Sequence, residues 1–208
     1  ESPTFYAGLQ ASERLGLKVI EIPSHPREGV SLDALADALR RHPIKACLFM
    51  LNFANPTGSC VSDENKRALV ALLHKHQVPL IEDDVYAELY FQRDAPLCSK
   101  AMDTGGLVLH VSSFSKCLAP GYRVGWVAAG RFAKQVQRQK YSTSLATAVP
   151  LQIALADYLK HGGFDNHLRQ LRRQLAAQET QLLAGIEAHF PGGIRLARPD
   201  GGYFLWLE

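Results

Sequence analysis

The chain has 208 residues, of which 47% are hydrophobic and 21% are charged, and its net charge at neutral pH is +3. These values are typical of a folded globular protein, exclude an intrinsically disordered chain and argue against nucleic-acid binding by these residues themselves. No apolar run approaches the roughly 20 residues that cross a bilayer, and the first residues do not resemble a signal peptide. We therefore expect a cytoplasmic protein with no membrane contact.

In chain order, short apolar runs alternate with amphipathic helical patterns. The runs predict strands at residues 17–22, 46–51, 78–81, 107–111 and 124–128. Between them, Ser31 and Ser62 are placed as the N-caps of two helices, the second with an apolar face formed by Ala68, Leu69, Leu72 and Leu73. Apolar strands separated by helices predict an α/β fold, with a mostly parallel sheet that is covered by helices on both faces.

After Arg131 the pattern becomes helical. Helices are predicted at residues 132–141, 150–161 and 164–190, and Pro191-Gly192-Gly193 ends the last of them. Gly201-Gly202 introduces a final strand at 203–207, where the chain stops. We therefore predict a piece of a longer polypeptide, in which residues 1–163 form a large domain that lacks its N-terminal part. Residues 164–208 are predicted to form a bridging helix and the truncated start of a smaller α+β domain.

The cysteines and histidines form no recognisable metal motif. The four cysteines show neither CxxC pairing nor the spacing of metal ligands, which predicts free thiols rather than disulfides. The eight histidines form no HExxH motif, and His74 and His76 fall on a helix that is predicted to lie at the surface. Glycine-rich nucleotide-binding signatures are also absent, so the sequence predicts neither a metal site nor a nucleotide site.

Polar motifs follow three of the predicted strands. Asn55-Pro56-Thr57-Gly58 comes after the second strand, the segment from Glu82 to Tyr86 ends the third, and the loop 112–121 follows the fourth. Because ligands of open α/β sheets bind at the carboxyl ends of the strands, we expect the three motifs to meet at one edge of the sheet.

The loop after the fourth strand carries the most informative chemistry. It contains Ser113-Phe114-Ser115-Lys116, and Arg123 follows seven residues after the lysine. A lysine amine forms imines with aldehydes, while hydroxyls and a guanidinium bind phosphate. Alternation about Phe114 predicts that both serine hydroxyls point the same way. These residue types together are suited to holding a phosphorylated aldehyde covalently.

The other two motifs fit the ring of pyridoxal phosphate. A carboxylate at the pyridine nitrogen keeps this nitrogen protonated, so that the ring accepts electrons from a substrate carbanion. The Tyr86 phenol and the Asn55 amide can each donate to the oxygen substituent of the ring. The spacing of three residues to Tyr86 selects Asp83 rather than Asp84 as the ring carboxylate.

With these motifs, essentially the whole chain resembles the large domain of fold-type-I pyridoxal-phosphate enzymes, the class I and II aminotransferases. The resemblance implies that Lys116 is the Schiff-base lysine and that Asp83 binds the pyridine nitrogen. It also implies an aromatic stacked on the cofactor ring at Phe5. The remaining cofactor ligands that it implies are Asn55 and Tyr86 at the ring oxygen, and Ser113, Ser115 and Arg123 at the phosphate.

The amino-acid sequences of the motifs most closely resemble the MocR-type branch of the GntR transcriptional regulators. The resemblance lies in segments 1–10, 81–91, 112–126 and 202–206. In that family an N-terminal winged helix-turn-helix binds DNA, and an aminotransferase-like domain binds pyridoxal phosphate as a sensor. The resemblance implies a homodimer and an amino acid or other amine as effector or substrate. It implies contact with DNA only through an N-terminal domain that is absent from this chain.

A catalytically active aminotransferase is the main alternative. In that case the amine of Lys116 transfers the proton between the substrate α-carbon and the cofactor. The arginine that binds the substrate carboxylate in this family lies beyond Glu208, so we do not expect catalysis by this fragment alone. A phosphoryl-transfer site with magnesium at Asp83 and Asp84 is a weaker alternative, because no nucleophilic aspartate follows Leu51.

Overall fold

The computed structural model describes all 208 residues, Glu1 to Glu208. Its α-helices are α1 (Tyr6–Arg14), α2 (Leu32–Arg41), α3 (Asp63–His76), α4 (Ala133–Ser144), α5 (Val149–Lys160) and α6 (Gly163–His189). Its strands are β1 (Ser24–His25), β2 (Gly29–Val30), β3 (Cys47–Phe49), β4 (Leu80–Asp83), β5 (Val108–Ser113), β6 (Gly125–Ala128), β7 (Leu196–Ala197) and β8 (Trp206–Leu207). None of the helices combines the length and the apolarity that a membrane span requires.

The central sheet has four strands in the order β3-β4-β5-β6. Strands β3, β4 and β5 are parallel, and β6 runs antiparallel to β5. The predicted α/β class with a mostly parallel sheet is confirmed. Because the three parallel strands run in one direction, the loops that follow them start from the same edge of the sheet.

The main core lies between this sheet and helices α2 and α3. It is a cluster of 15 buried residues in which Leu35 of α2, Leu69 of α3 and Leu80 of β4 are 1% exposed or less. Both predicted N-caps are confirmed: Ser31 Oγ accepts a hydrogen bond from the amide of Ala34, and Ser62 Oγ accepts one from the amide of Asn65. Burying a leucine side chain stabilises the fold by roughly 1.5–3 kcal/mol, so this packing sets the position of the sheet.

A second cluster of seven buried residues lies at the edge where the parallel strands end. It joins Phe53 and Tyr86, from the loops after β3 and β4, to Cys117 beyond β5 and to Leu168 of α6. Helix α6 therefore clamps the three loops against one another, and the loops carry the motifs identified in the sequence.

Three predictions of local structure were wrong. Residues 17–22 form no strand, because Leu17 and Val19 are exposed and no neighbouring strand pairs with the segment. At its end, the carbonyl of Ile22 accepts from the amide of Ser2 at 2.8 Å. The final strand is shorter than predicted and comprises only Trp206–Leu207, paired antiparallel with β7. In α3 the buried face is rotated from the predicted one and consists of Lys66, Leu69, Val70 and Leu73.

Replacing Leu69 by alanine should reduce the free energy of unfolding by about 2–5 kcal/mol, because the side chain is fully buried and its removal leaves a cavity. Arg67→Ala on the exposed face of the same helix is the matched control and should change stability by no more than about 0.5 kcal/mol. Urea unfolding followed by tryptophan fluorescence measures both. Equal losses in the two variants would show that α3 does not pack as described.

Candidate cofactor site

The ends of the three parallel strands bring three of the predicted site residues together. Asn55 follows β3, Asp83 is the last residue of β4, and Lys116 lies in the turn after β5. The ammonium of Lys116 lies 5.8 Å from the centre of the Tyr86 ring. Burial raises the pKa of Tyr86, and the side chain of Asn55 opposes this rise. Asn55, Tyr86 and Lys116 thus face one another at the edge of the sheet.

The adjacent aspartates have opposite environments. Asp84 is buried, and both of its oxygens are bound: Oδ1 accepts from Asn52 Nδ2 at 2.8 Å, and Oδ2 pairs with His110 Nε2 at 2.9 Å. Asp83 has one oxygen, Oδ1, that is buried without a hydrogen-bond partner. A buried acceptor without a donor is costly, so Asp83 is the carboxylate of this pair that fits an added cationic donor such as a protonated pyridine nitrogen.

The surroundings of Asp83 also favour such a donor. Burial raises the pKa of Asp83, and the negative charge of Asp84 acts in the same direction. The Val85 amide and the cations Lys116 and His110 oppose this rise. A donor cation placed beside Asp83 would therefore stabilise the ionised form, since opposite charges at close range favour ionisation.

The residues predicted to bind phosphate form one hydrogen-bonded group. The amide of Ser115 donates to Ser113 Oγ at 3.3 Å, and the Arg123 guanidinium donates to Ser115 Oγ at 3.2 Å. The Ser115 amide reaches the Ser113 hydroxyl through a turn, because β5 ends at Ser113 and the strand alternation assumed from the sequence does not extend to Ser115. Arg123 is exposed and has a left-handed backbone with a φ of 53°. Its side chain extends back along the loop to Ser115. Two hydroxyls beside a guanidinium are a donor set that suits phosphate.

The loop that carries Lys116 is held from both sides. Cys117 is buried beneath it in the second cluster, and the hydroxyl of Tyr203 donates to the carbonyl of Lys116 at 3.1 Å. The Tyr203 ring meets the Tyr86 ring edge-on, with their centres 5.4 Å apart. Burial, helped by the nearby Tyr86, raises the pKa of Tyr203 to about 12, so its hydroxyl stays protonated as a donor. Sequence reasoning did not assign Tyr203 to the site, although the motif 202–206 was the available signal.

Phe5 is not joined to this group by an aromatic contact. It precedes α1, is 39% exposed, and its ring packs against Tyr6 with the centres 4.6 Å apart. The same segment is nevertheless anchored near the site, since Glu1 Oε1 accepts from the amide of Met50 at 3.0 Å. The stacking of Phe5 on a cofactor ring stays a prediction.

The geometry does not favour the alternative magnesium site. Two aspartates that shared a metal would each need a free oxygen, and both oxygens of Asp84 are engaged by Asn52 and His110. The donors at Ser113, Ser115 and Arg123 also suit an anion better than a cation. The residues present fit a phosphorylated aldehyde with a basic ring nitrogen.

Comparison with known proteins agrees with the fold described above. The family model "Aminotransferase class I and II" matches residues 1–208. The chain is 49% identical over 208 residues to the uncharacterized HTH-type transcriptional regulator YdcR of Escherichia coli (strain K12), covering 100% of this chain and 44% of that protein. It is 29% identical over 212 residues to aromatic-amino-acid aminotransferase 1 of Thermococcus litoralis, covering 99% of this chain and 51% of that protein.

A solved structure shows the same fold. The kynurenine aminotransferase of Pyrococcus horikoshii, in complex with PMP, superposes with a TM-score of 0.93 at 29% sequence identity, covering 99% of this chain and 52% of that one. The chain thus spans about half the length of the relatives that it matches. Because the family model matches it from end to end, this chain belongs to the class I and II aminotransferase family.

Proposed function

We propose that these residues form the pyridoxal-5′-phosphate-binding, effector-sensing domain of a GntR/MocR-type transcription regulator, with the cofactor attached covalently to Lys116. The observation that carries the cofactor assignment is the unpaired buried oxygen of Asp83 at the edge that also presents Lys116 and Tyr86. The regulator is favoured because the chain is 49% identical to an HTH-type regulator and only 29% identical to an aminotransferase.

Each residue of the site has a proposed part in holding the cofactor. Asp83 accepts from the ring nitrogen, and Asn55 and Tyr86 donate to the ring oxygen. The phosphate binds to Ser113, Ser115 and Arg123, and Phe5 stacks on the ring face. When bound, the cofactor supplies an electron sink. The contribution of the chain is to orient that ring through the fixed ends of β3, β4 and β5.

The proposal extends to the organisation of the protein. Residues 1–163 belong to the large domain, and 164–208 form the bridging helix and the start of the small domain. The protein is proposed to act in the cytoplasm as a homodimer. It responds to an amino acid or another amine, and it contacts DNA through an N-terminal domain outside this chain. The similarity to an HTH-type regulator more than twice as long supports this arrangement.

A working aminotransferase is the second candidate, and one observation supports it. The amine of Lys116 makes no hydrogen bond or ion pair within the chain, and the residue is exposed. A free amine at this position is able to take up and return a proton beside a bound substrate. Both candidates therefore use the same site, and they differ in whether the bound amine is transformed or only sensed.

Lys116→Ala should abolish the visible absorption band that pyridoxal phosphate gives with the full-length protein, because no amine remains for the covalent link. Lys134→Ala, which removes an exposed lysine of α4, should keep the band and serves as the control. Spectral titration followed by borohydride reduction and peptide mass spectrometry measures the link. A reducible link that persists in Lys116→Ala would show that another lysine carries the cofactor.

The advantage of wild type over Asp83→Asn in cofactor affinity should disappear as the solution becomes acidic. Only the ionised carboxylate attracts a protonated ring nitrogen, so the advantage is lost as pH falls through the pKa of Asp83. Because burial raises this pKa in the cofactor-free protein, the loss should begin above the range of an ordinary aspartate. Comparing dissociation constants of the two proteins at each pH cancels the titration of the phosphate. A ratio that does not change with pH would contradict the role of Asp83.

DNA binding and transamination separate the two candidates. The regulator predicts that the full-length protein retards DNA from its own promoter region in a gel, and that an effective amine changes both this binding and the visible spectrum. It also predicts a winged helix in the upstream sequence. Sustained transamination of amino acids with a 2-oxo acid, without DNA binding, would instead establish the enzyme.

A further inference from the structure

A chain of buried polar side chains runs from helix α3 to the carboxylate beside Asp83. The ammonium of Lys66 donates to Asn52 Oδ1 at 2.7 Å, and Asn52 Nδ2 donates to Asp84 Oδ1 at 2.8 Å. The other oxygen of Asp84 pairs with His110 Nε2 at 2.9 Å. We refer to these four residues as the Lys66–His110 chain.

Stability alone gives a weak reason for this arrangement. Lys66 and Asn52 are 0% exposed and Asp84 is 5% exposed, so two charged groups have been removed from water. Such burial is tolerated only when every polar atom is paired, and well-packed apolar residues in the same place are often as stable or more so. Lys66 occupies a position on the apolar face of α3, beside Leu69, Val70 and Leu73. A polar chain in this position therefore points to a role at its other end.

That end holds the backbone on which Asp83 stands. The amide of Asp84 donates to the carbonyl of Val111 at 2.8 Å, and the carbonyl of Asp84 accepts from Ser112 Oγ at 3.0 Å. With both side-chain oxygens bound as well, Asp84 cannot turn without breaking the Lys66–His110 chain. Asp83 directly precedes Asp84 in the sequence, so its free oxygen is kept at one place in the cofactor site.

The chain also sets the charges around Asp83. Pairing with Asp84 raises the pKa of His110 and favours its cationic form, while burial opposes this. The positive charges of Lys116 and His110 lower the pKa of Asp83, whereas the charge of Asp84 raises it; Asp83 in turn raises the pKa values of Glu1 and Tyr86. Neutralising or displacing His110 would remove one of the two positive charges that oppose the rise in the pKa of Asp83.

The same residues are less suited to a metal ion. Ligand atoms of Glu82, Cys98 and His110 lie within 4.8 Å of one another. The oxygens of Glu82, however, accept from the amides of Ser99 at 2.6 Å and Lys100 at 3.2 Å. His110 Nε2 is bound to Asp84, so two of the three candidate ligands, Glu82 and His110, already have partners within the protein.

We propose that the Lys66–His110 chain is a positioning device for Asp83, which holds the free carboxylate oxygen where the ring nitrogen of the cofactor binds. This inference rests on the proposed cofactor site. The residues of the Lys66–His110 chain do not touch the cofactor themselves. They act through Asp83, so their effect on cofactor binding should depend on the carboxylate at position 83.

A double-mutant cycle in the full-length protein tests this dependence. The dissociation constant for pyridoxal phosphate is measured by spectral titration for wild type, His110→Phe, Asp83→Asn and the double variant. We expect His110→Phe to weaken binding about tenfold in the wild-type background and less than about twofold when Asp83 is already asparagine, because contacting residues couple and independent ones do not. Asn52→Leu, which removes the hydrogen bonds of Asn52 with Lys66 and Asp84, should show the same pattern and serves where His110→Phe does not fold.

His74→Phe is the matched control, because His74 of helix α3 forms a separate histidine–aspartate pair with Asp103, at 3.1 Å, that does not include Asp84. It should lower the melting temperature without changing the dissociation constant. His110→Gln, which can still donate to Asp84, should recover most of the binding that His110→Phe loses.

The outcomes separate the positioning role from the cofactor site itself. Equal losses from His110→Phe in both backgrounds, or no loss in either, would overturn the positioning role while Asp83→Asn still weakens binding. If Asp83→Asn binds as tightly as wild type, or if wild type binds no pyridoxal phosphate, the proposed cofactor site fails and the positioning role fails with it.

Discussion

The candidate site depends on a difference in hydrogen bonding between two adjacent carboxylates, Asp83 and Asp84. Asp84 is buried with both oxygens bound by Asn52 and His110, whereas Asp83 keeps one buried oxygen without a partner. A fold of marginal stability does not retain such an acceptor without cost. Because β4 lies between β3 and β5 in a parallel arrangement, the loops that carry Asn55 and Lys116 start on either side of the end of β4, where Asp83 stands. The proposed cofactor site depends on this arrangement more than on any single motif.

Much of the fold could be predicted from the sequence. Short apolar runs and serine N-caps predicted the α/β fold and its parallel sheet, because hydrophobic patterning and helix capping are local and can be recognised within one segment. The prediction of a strand at 17–22 was wrong because strand formation is not local. An apolar run becomes a strand only if a neighbouring strand pairs with it, and the run itself does not show whether one does. The buried face of α3 differs from the predicted one for a similar reason. Lys66 is buried because it donates to Asn52, and helical periodicity does not reveal this partner.

The candidate site divides in the same way. Asp83 was preferred over Asp84 from its spacing to Tyr86, and the structure adds a physical reason, the different hydrogen bonding of the two side chains. The contact of Tyr203 with the carbonyl of Lys116 was not assigned, because it joins residues 87 positions apart in the chain. Ser113 and Ser115 are joined through a turn, by a hydrogen bond from the Ser115 amide to Ser113 Oγ, and not through strand alternation. Residue types were thus readable from the sequence, while the contacts that orient them required the fold.

Direct observation of the cofactor's ring nitrogen would test the central claim, that the free oxygen of Asp83 receives it. Pyridoxal phosphate labelled with ¹⁵N in the ring can be bound to the full-length protein and its nitrogen followed by NMR at neutral pH. We predict a protonated nitrogen that is hydrogen-bonded in wild type and becomes unprotonated in Asp83→Asn. A ring nitrogen that is unprotonated in wild type, or that has the same chemical shift in both proteins, would contradict the account.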